Sequence, residues 1–222
     1  MTASDKRKAE QQENRQKREN AILDCAYQLF SSQGIENTPI TDIAQKAEIG
    51  VASLYRYFET KEEIAVRCGV IAWEKQKNLF INRFKGDVYN SKTGLAQIEI
   101  LLNLFIDLYR TQKQFFVYIY EFDLYARRKN LTPKRLQAYE RAITNIQSVA
   151  IAAIQKAYID KSISETLINT MTEEELYISI TQPLFCLVQK LSISNTFLEM
   201  DSHTPGEKEL EFFISLLRKA LR

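Results

Sequence analysis

Six glycines and four prolines in 222 residues leave this chain few places to turn sharply. That is about a third of the usual share, and strands joined by hairpins need these residues most. The chain therefore has to be built from long segments that end on caps, and the expected class is all-α. Hydrophobic residues make up 45% of the sequence and charged residues 26%, enough for a chain of this length to bury roughly 70% of its unfolded surface without covalent staples. Cysteines at 25, 68 and 186 are odd in number and lack metal-ligand or redox spacing, so each reads as a small buried hydrophobe in a reducing compartment. The single histidine, His203, leaves no His cluster for a metal and only one base for a Ser-His-Asp or Cys-His arrangement. No catalytic residue, metal site or cofactor is expected, and a non-enzymatic function is favoured.

The longest purely apolar runs, residues 115–120 and 149–154, are short against the roughly 20 residues that span a bilayer, so no transmembrane helix is expected. The first residues hold no apolar stretch of a secretory signal, which points to the cytoplasm. Net charge is only +2, from 30 basic and 28 acidic residues, so any basic surface must come from local clustering. One cluster stands at the start: Lys6, Arg7, Lys8, Arg15, Lys17 and Arg18 outnumber Asp5, Glu10 and Glu13, and no apolar periodicity precedes Ala21. Residues 1–17 read as a flexible basic arm, either a solubilising terminus or a segment that touches phosphates.

From Arg18, Ala21, Ile22, Cys25, Ala26, Leu29 and Phe30 recur at helical spacing up to Gly34, a residue suited to a helix C-terminus. Thr38-Pro39 reads as N-cap and first residue of a short second helix through Ile40, Ile43, Ala44 and Ala47. Gly50 interrupts it, and a third helix is expected from Val51 to about Phe58. Thr60-Lys61-Glu62-Glu63 is a capping box opening a fourth. Two short helices across a tight turn, braced by a longer one, form the layout of a helix-turn-helix module. The N-terminal residues of its second helix would face base edges. Val51 and Ala52 offer apolar contact with a thymine methyl, and Ser53 can bond a base or a phosphate.

The stretch GIENTPITDIAQKAEIGVASLYRYFETKEEI at 34–64 resembles the TetR family of bacterial transcriptional repressors. Ile43-Ala44, Leu54-Tyr55, Tyr57-Phe58 and Lys61-Glu62 agree in register with that family's signature, over about a fifth of the chain. The sequence departs from it at Glu48, where a turn glycine is usual, and at Ala52. Glu48 implies ordinary backbone angles in the turn or flexibility supplied by Gly50. The resemblance implies that Thr41 and Tyr55 contact bases, and that Thr38, Arg56, Tyr57 and Lys61 contact the DNA backbone. Tyr55 and Tyr57 could instead be core aromatics beside Leu54 and Phe58. The family also implies a homodimer on a palindromic duplex DNA operator, released by a small-molecule effector. The fold so implied is an N-terminal three-helix DNA-binding domain (18–62) followed by a helical ligand-binding and dimerisation bundle (63–222), with about nine helices in all. A helical enzyme or an adaptor that kept such a head is the alternative, and neither explains why groove-facing positions agree with a DNA-binding register.

The fourth helix carries two opposed apolar stripes, Ile64, Cys68, Ile71, Ala72 and Leu79 on one side and Val66, Trp73, Phe80 and Phe84 on the other. It lies either between two cores or wholly inside one. Further helices are expected near 94–110, 113–129 and 133–157. Later ones follow boxes at Ser162-x-x-Glu165, Thr172-x-x-Glu175 and Thr204-Pro205-x-Glu207. The last two carry stripes (Leu176, Ile180, Leu184, Leu187, Leu191; Leu210, Phe213, Leu217, Leu221) expected to pair in a two-fold dimer. Phe105, Tyr109, Phe116, Tyr120, Tyr139 and Phe185, with Trp73 and Phe80, are candidates to line an apolar effector cavity, the alternative being a dry aromatic core. Asp123 within 113–129 is either paired with Arg127 or a counter-ion for a cationic ligand.

Overall fold

The computed structural model describes residues 2–194 and 205–222; His203 and Thr204 lie outside the described residues. All regular structure among them is helical: α1 (Ala3–Gln33), α2 (Ile40–Lys46), α3 (Val51–Leu54), α4 (Lys61–Arg83), α5 (Asp87–Asn90), α6 (Gly94–Thr111), α7 (Lys113–Arg128), α8 (Pro133–Ile159), α9 (Glu165–Thr170), α10 (Glu173–Ile193) and α11 (Gly206–Leu221). The all-α expectation holds. The one-turn α5 has no apolar period long enough to signal itself in sequence.

The segment expected to be an irregular arm is instead the first half of α1. Apolar periodicity is absent there, but Lys, Glu, Gln, Arg and Ala are good helix formers. Thr2 and Asp5 close a capping box, and Glu13–Lys17 (2.6 Å) and Arg15–Glu19 (3.0 Å) pair at i,i+4.

Few glycines did not mean few left-handed residues. Glu48 (φ 54°), Asn130 (φ 49°) and Lys161 (φ 52°) each follow a helix end, at α2, α7 and α8. In each case the next residue's N–H bonds the carbonyl five positions back: Ile49 to Ala44, Leu131 to Ala126, and Ser162 to Ala157. These are Schellman caps with non-glycine residues at the position glycine usually fills.

The chain divides into two compact units, Met1–Ala72 with Tyr118–Tyr139, and Trp73–Val117 with Glu140–Arg222. The head is therefore larger than residues 18–62. Its core holds Ile22, Ala26, Phe30, Ile43, Leu54, Phe58, Ile64 and Cys68, all nearly inaccessible. The second half of α7 joins that core: the Tyr118 hydroxyl donates to the Ala65 carbonyl at 2.5 Å, and its ring lies 4.8 Å from Tyr27. Tyr139 packs on Phe122 (4.6 Å) and against Gly69, where a Cβ would stand 2.8 Å from its ring.

In the second unit α6 packs on α10 and α11, and α10 on α11. The start of α6 is pressed onto α8: a Cβ on Gly94 would lie 2.0 Å from the Ala157 nitrogen. Thr93 caps α6, while the Gly94 and Leu95 N–H groups donate to Asp160 and Ser162, each at 2.8 Å. Ser162 is thus spent on α6, so the box expected at Ser162-x-x-Glu165 does not form and Ser164 precedes α9. The Thr172–Glu175 box does form.

Among the described residues α10 is long and apolar enough to cross a membrane by length and composition. Its polar residues are scattered, so counting uninterrupted apolar runs missed it. Leu176, Ile180, Leu184, Val188 and Leu191 of α10 are buried in the chain itself, as in a core helix.

Candidate nucleic-acid interface

The head's reading elements are short. α3 stays α-helical for one turn only, not to Phe58, although the Phe58 N–H still bonds the Leu54 carbonyl at 3.1 Å. Leu54 and Phe58 are the buried anchors, and between them the chain turns Tyr55 and Arg56 outward. Val51 is 37% exposed and Tyr55 51%, and Ala52 is exposed too. Tyr55 is therefore not a core aromatic. Tyr57 is half-buried, with the Arg15 guanidinium 5.9 Å from its ring centre. Arg56 donates to the Ser53 hydroxyl at 2.9 Å, and exposed Thr41 on α2 stands beside Asp42.

Glu48, not Gly50, makes the turn between α2 and α3. Gly50 has φ −70° and ψ 148°, angles open to any residue, and nothing lies within 4 Å of the Cβ it lacks. Arg18 of α1 donates to the carbonyls of Ala47 and Glu48, both at 3.3 Å, and holds the left-handed turn in place.

Thr38 departs most from its expected role. It is fully buried, its hydroxyl donates to the Gly34 carbonyl at 2.7 Å and accepts from Gln33, and Pro39 rather than Thr38 precedes α2. Its side chain cannot reach a phosphate. Lys61 is half-buried at the start of α4, donating to the Glu36 carbonyl at 3.2 Å, with the Tyr125 ring 5.9 Å away. Burial, with Lys129 nearby, lowers its pKa, and an ammonium keeps two further donors for an anion.

Glu19 fastens α1 to α4. Burial alone would raise its carboxyl, but hydrogen bonds from Arg67 (2.6 Å) and Arg15 (3.0 Å) outweigh it and hold the pKa below the ordinary glutamate value. Sequence reading missed Glu19 and Arg67 because they are 48 residues apart.

The residues proposed for an effector divide between the two units. In the second, Trp73 stacks on Phe185 (5.9 Å) and meets Phe115 edge-on (4.9 Å), and Phe116 lies 5.2 Å from Phe185. Phe80 stacks on Phe84 (5.9 Å), and Phe105 and Tyr109 are buried. Tyr120, Asp123 and Tyr139 fall in the head unit. Asp123 makes no ion pair with Arg127 among the described residues. It is open to solvent on one side, and the protein crowded around its other sides raises its carboxyl to about 6. Sequence analysis also missed two buried amides of the second unit. The Oε1 of Gln76 and the Nε2 of Gln189 have no protein partner, although the Gln76 Nε2 donates to Gln112 at 3.1 Å. Single glutamines in apolar helices carry no sequence signal.

The family model described as bacterial regulatory proteins, tetR family, matches residues 22–68, which cover the last part of α1, the α2–α3 pair and the start of α4. Over those residues the head is that of a TetR-family regulator. An HTH-type transcriptional regulator of Staphylococcus aureus (strain USA300) is 33% identical over 99 residues, 43% of this chain and 49% of the relative, and the counterpart in strain N315 matches equally. The chain thus spans about half the length of the curated relatives it matches. Among solved structures, the fatty acid degradation regulator FadR from Bacillus halodurans superposes on this chain with TM-score 0.65 at 12% identity, covering 92% of this chain and 96% of that one. FadR from Bacillus subtilis in complex with stearoyl-CoA gives 0.61 at 16%, covering 91% and 98%. Ketosteroid regulator KstR2 of Mycobacterium tuberculosis gives 0.58 at 15%, covering 92% and 94%. At these identities the structures speak for the fold alone.

Proposed function

We propose that this chain is a ligand-responsive transcriptional repressor that binds a palindromic duplex operator as a homodimer and is released by a small, largely apolar molecule. The observation that carries the reading is the outward presentation of Val51, Ala52, Tyr55 and Arg56 by a turn anchored on Leu54 and Phe58. Buried aromatics would serve packing alone; an exposed tyrosine and arginine at the end of a recognition helix serve base and phosphate contact.

Dimer formation is supported by only part of the expected face, since Leu187, Phe213 and Leu217 remain half-buried, together with apolar residues beside it. Leu176, Ile180, Leu184, Leu191, Leu210 and Leu221 are buried in the chain itself, because α10 and α11 need them against α6 and each other. Ile178 and Ile193 on α10, and Phe212 (65% exposed) and Leu216 on α11, remain outside. Two heads about 34–36 Å apart, one turn of DNA, would read a palindrome.

The effector reading rests on the second unit's aromatic cluster and its two unpartnered amides. A buried amide atom without a partner costs about 1–3 kcal/mol, a cost that a ligand polar group or a water removes. Gln76 could accept from, and Gln189 donate to, a molecule whose remainder is apolar. That two fold relatives are a fatty acid degradation regulator and a ketosteroid regulator agrees with such a molecule.

The test is selection of duplexes from a randomised pool by the full chain. Recovery of a palindromic consensus is expected; recovery of none would overturn the reading. On the selected duplex, Tyr55→Ala should change sequence preference. Lys61→Ala should weaken all duplexes alike and lower the salt slope by about one.

A further inference from the structure

The first half of α1 buries none of its residues: residues 4–17 are exposed without interruption. Fourteen residues at about 1.5 Å each extend it about 21 Å, and a free helix of that length is marginal in water. Its charges are sorted by face. At 100° per residue, Arg7, Lys8, Gln11, Asn14, Arg15 and Arg18 fall within one arc of about 120°, and Asp5, Glu10 and Glu13 all fall outside it. The fold then turns this face toward the reading elements, since Gln11, Asn14 and Arg15 line one cleft of about 390 Å³ with Arg56 and Tyr57.

We infer that the acid-free face of α1, with Arg56, is a second DNA-binding element that grips the sugar-phosphate backbone flanking the segment read by α3. The inference rests on the DNA-binding function proposed above and adds to it a surface of its own. The chemistry fits a polyanion: four cations and two amides offer donors only where donors are needed, along a length of about six base pairs. Arg15 shares Glu19 with Arg67, which also pairs with Glu63 at 3.8 Å, so that cluster is neutral and the net positive charge of the surface comes from Arg7, Lys8 and Arg56. The neighbouring cleft shares Arg15 and Arg56 but adds Glu19, Glu59 and Glu63 beside Arg67, so it is less favourable to phosphate than the acid-free one. Arg18 is committed to the carbonyls of the α2–α3 turn, so the contacts come from Arg7, Lys8, Arg15 and Arg56.

The experiment measures affinity of the full chain for a long mixed-sequence duplex across a salt series. Arg7→Gln with Lys8→Gln should lower the salt slope by about two and weaken binding roughly tenfold or more, and leave the preference for pool-selected duplexes intact. Lys6→Gln with Lys17→Gln removes equal charge from another face and should change the slope far less. Gln11→Lys should raise the slope by about one, a gain that no loss of folding imitates. Equal effects of the two double variants, no effect of either, or tighter binding of RNA than duplex DNA through this face would overturn the inference while wild-type duplex binding upheld the proposed function. A wild type that bound no duplex would overturn both.

Discussion

Glu48 sits at φ 54° with a β-carbon, a geometry that costs roughly 1–2 kcal/mol for an L-residue and almost nothing for glycine. Arg18 keeps the turn in place by bonding backbone carbonyls, which any residue at 48 would offer equally. Glu48→Gly is therefore expected to stabilise the head by about 1 kcal/mol, seen as a higher denaturation midpoint at unchanged m-value. A lower midpoint would show that the Glu48 side chain contributes more than its backbone costs. Asp123 makes the opposite kind of demand. Its carboxyl is raised to about 6 from an ordinary value near 3.8, so the folded state holds the proton more tightly than the unfolded state. Its contribution is then fully present below about 3.8 and lost as pH rises through 6. Asp123→Asn should raise the melting temperature at pH 7 and flatten its pH dependence between those values. Partial exposure limits the effect to about 1 kcal/mol. A variant that melts lower than wild type at pH 7 would give Asp123 a partner instead.

At the scale of elements, caps explain both where sequence reading succeeded and where it failed. The Thr172–Glu175 box formed as read, because both halves are local. Ser162 was an equally good local signal, yet α6 took its hydroxyl from 67 residues away. Glycines likewise differ by what they meet. Gly94→Ala would drive a methyl into the α8 backbone at 2.0 Å and should cost 2 kcal/mol or more, about the scale of core overpacking. Gly50→Ala meets open space at ordinary angles and should be neutral or stabilise by about 0.5 kcal/mol. Thermal melts of the pair decide it; a harmless Gly94→Ala would mean that α6 can move off α8.

At the scale of the whole molecule, the apolar face left outside on α10 and α11 is the surface that the proposed dimer would cover. Phe212→Glu with Leu216→Glu should convert a dimer to a monomer of intact helicity in light scattering, and reduce affinity for a palindrome far more than for a single half-site. A double variant that stayed dimeric would place the interface elsewhere. The same substitutions at Leu176 or Leu210 should unfold the chain, since those residues fill its own core.

Helical class, the α2–α3 pair and its exposed reading residues were legible in the sequence because they depend on composition, local period and residues a few positions apart. The exposure of Tyr55 and Arg56 agrees with the outward positions that the register implies for them. What lay beyond it was decided by contacts distant in sequence. Thr38 looks like any N-cap until Gly34 and Gln33 enclose it, and Leu176 looks like any dimer leucine until α6 covers it. A helical stripe states only that one face will be buried. Which surface buries it, the chain's own or a partner's, depends on how the helices pack, and that is fixed by the tertiary structure alone.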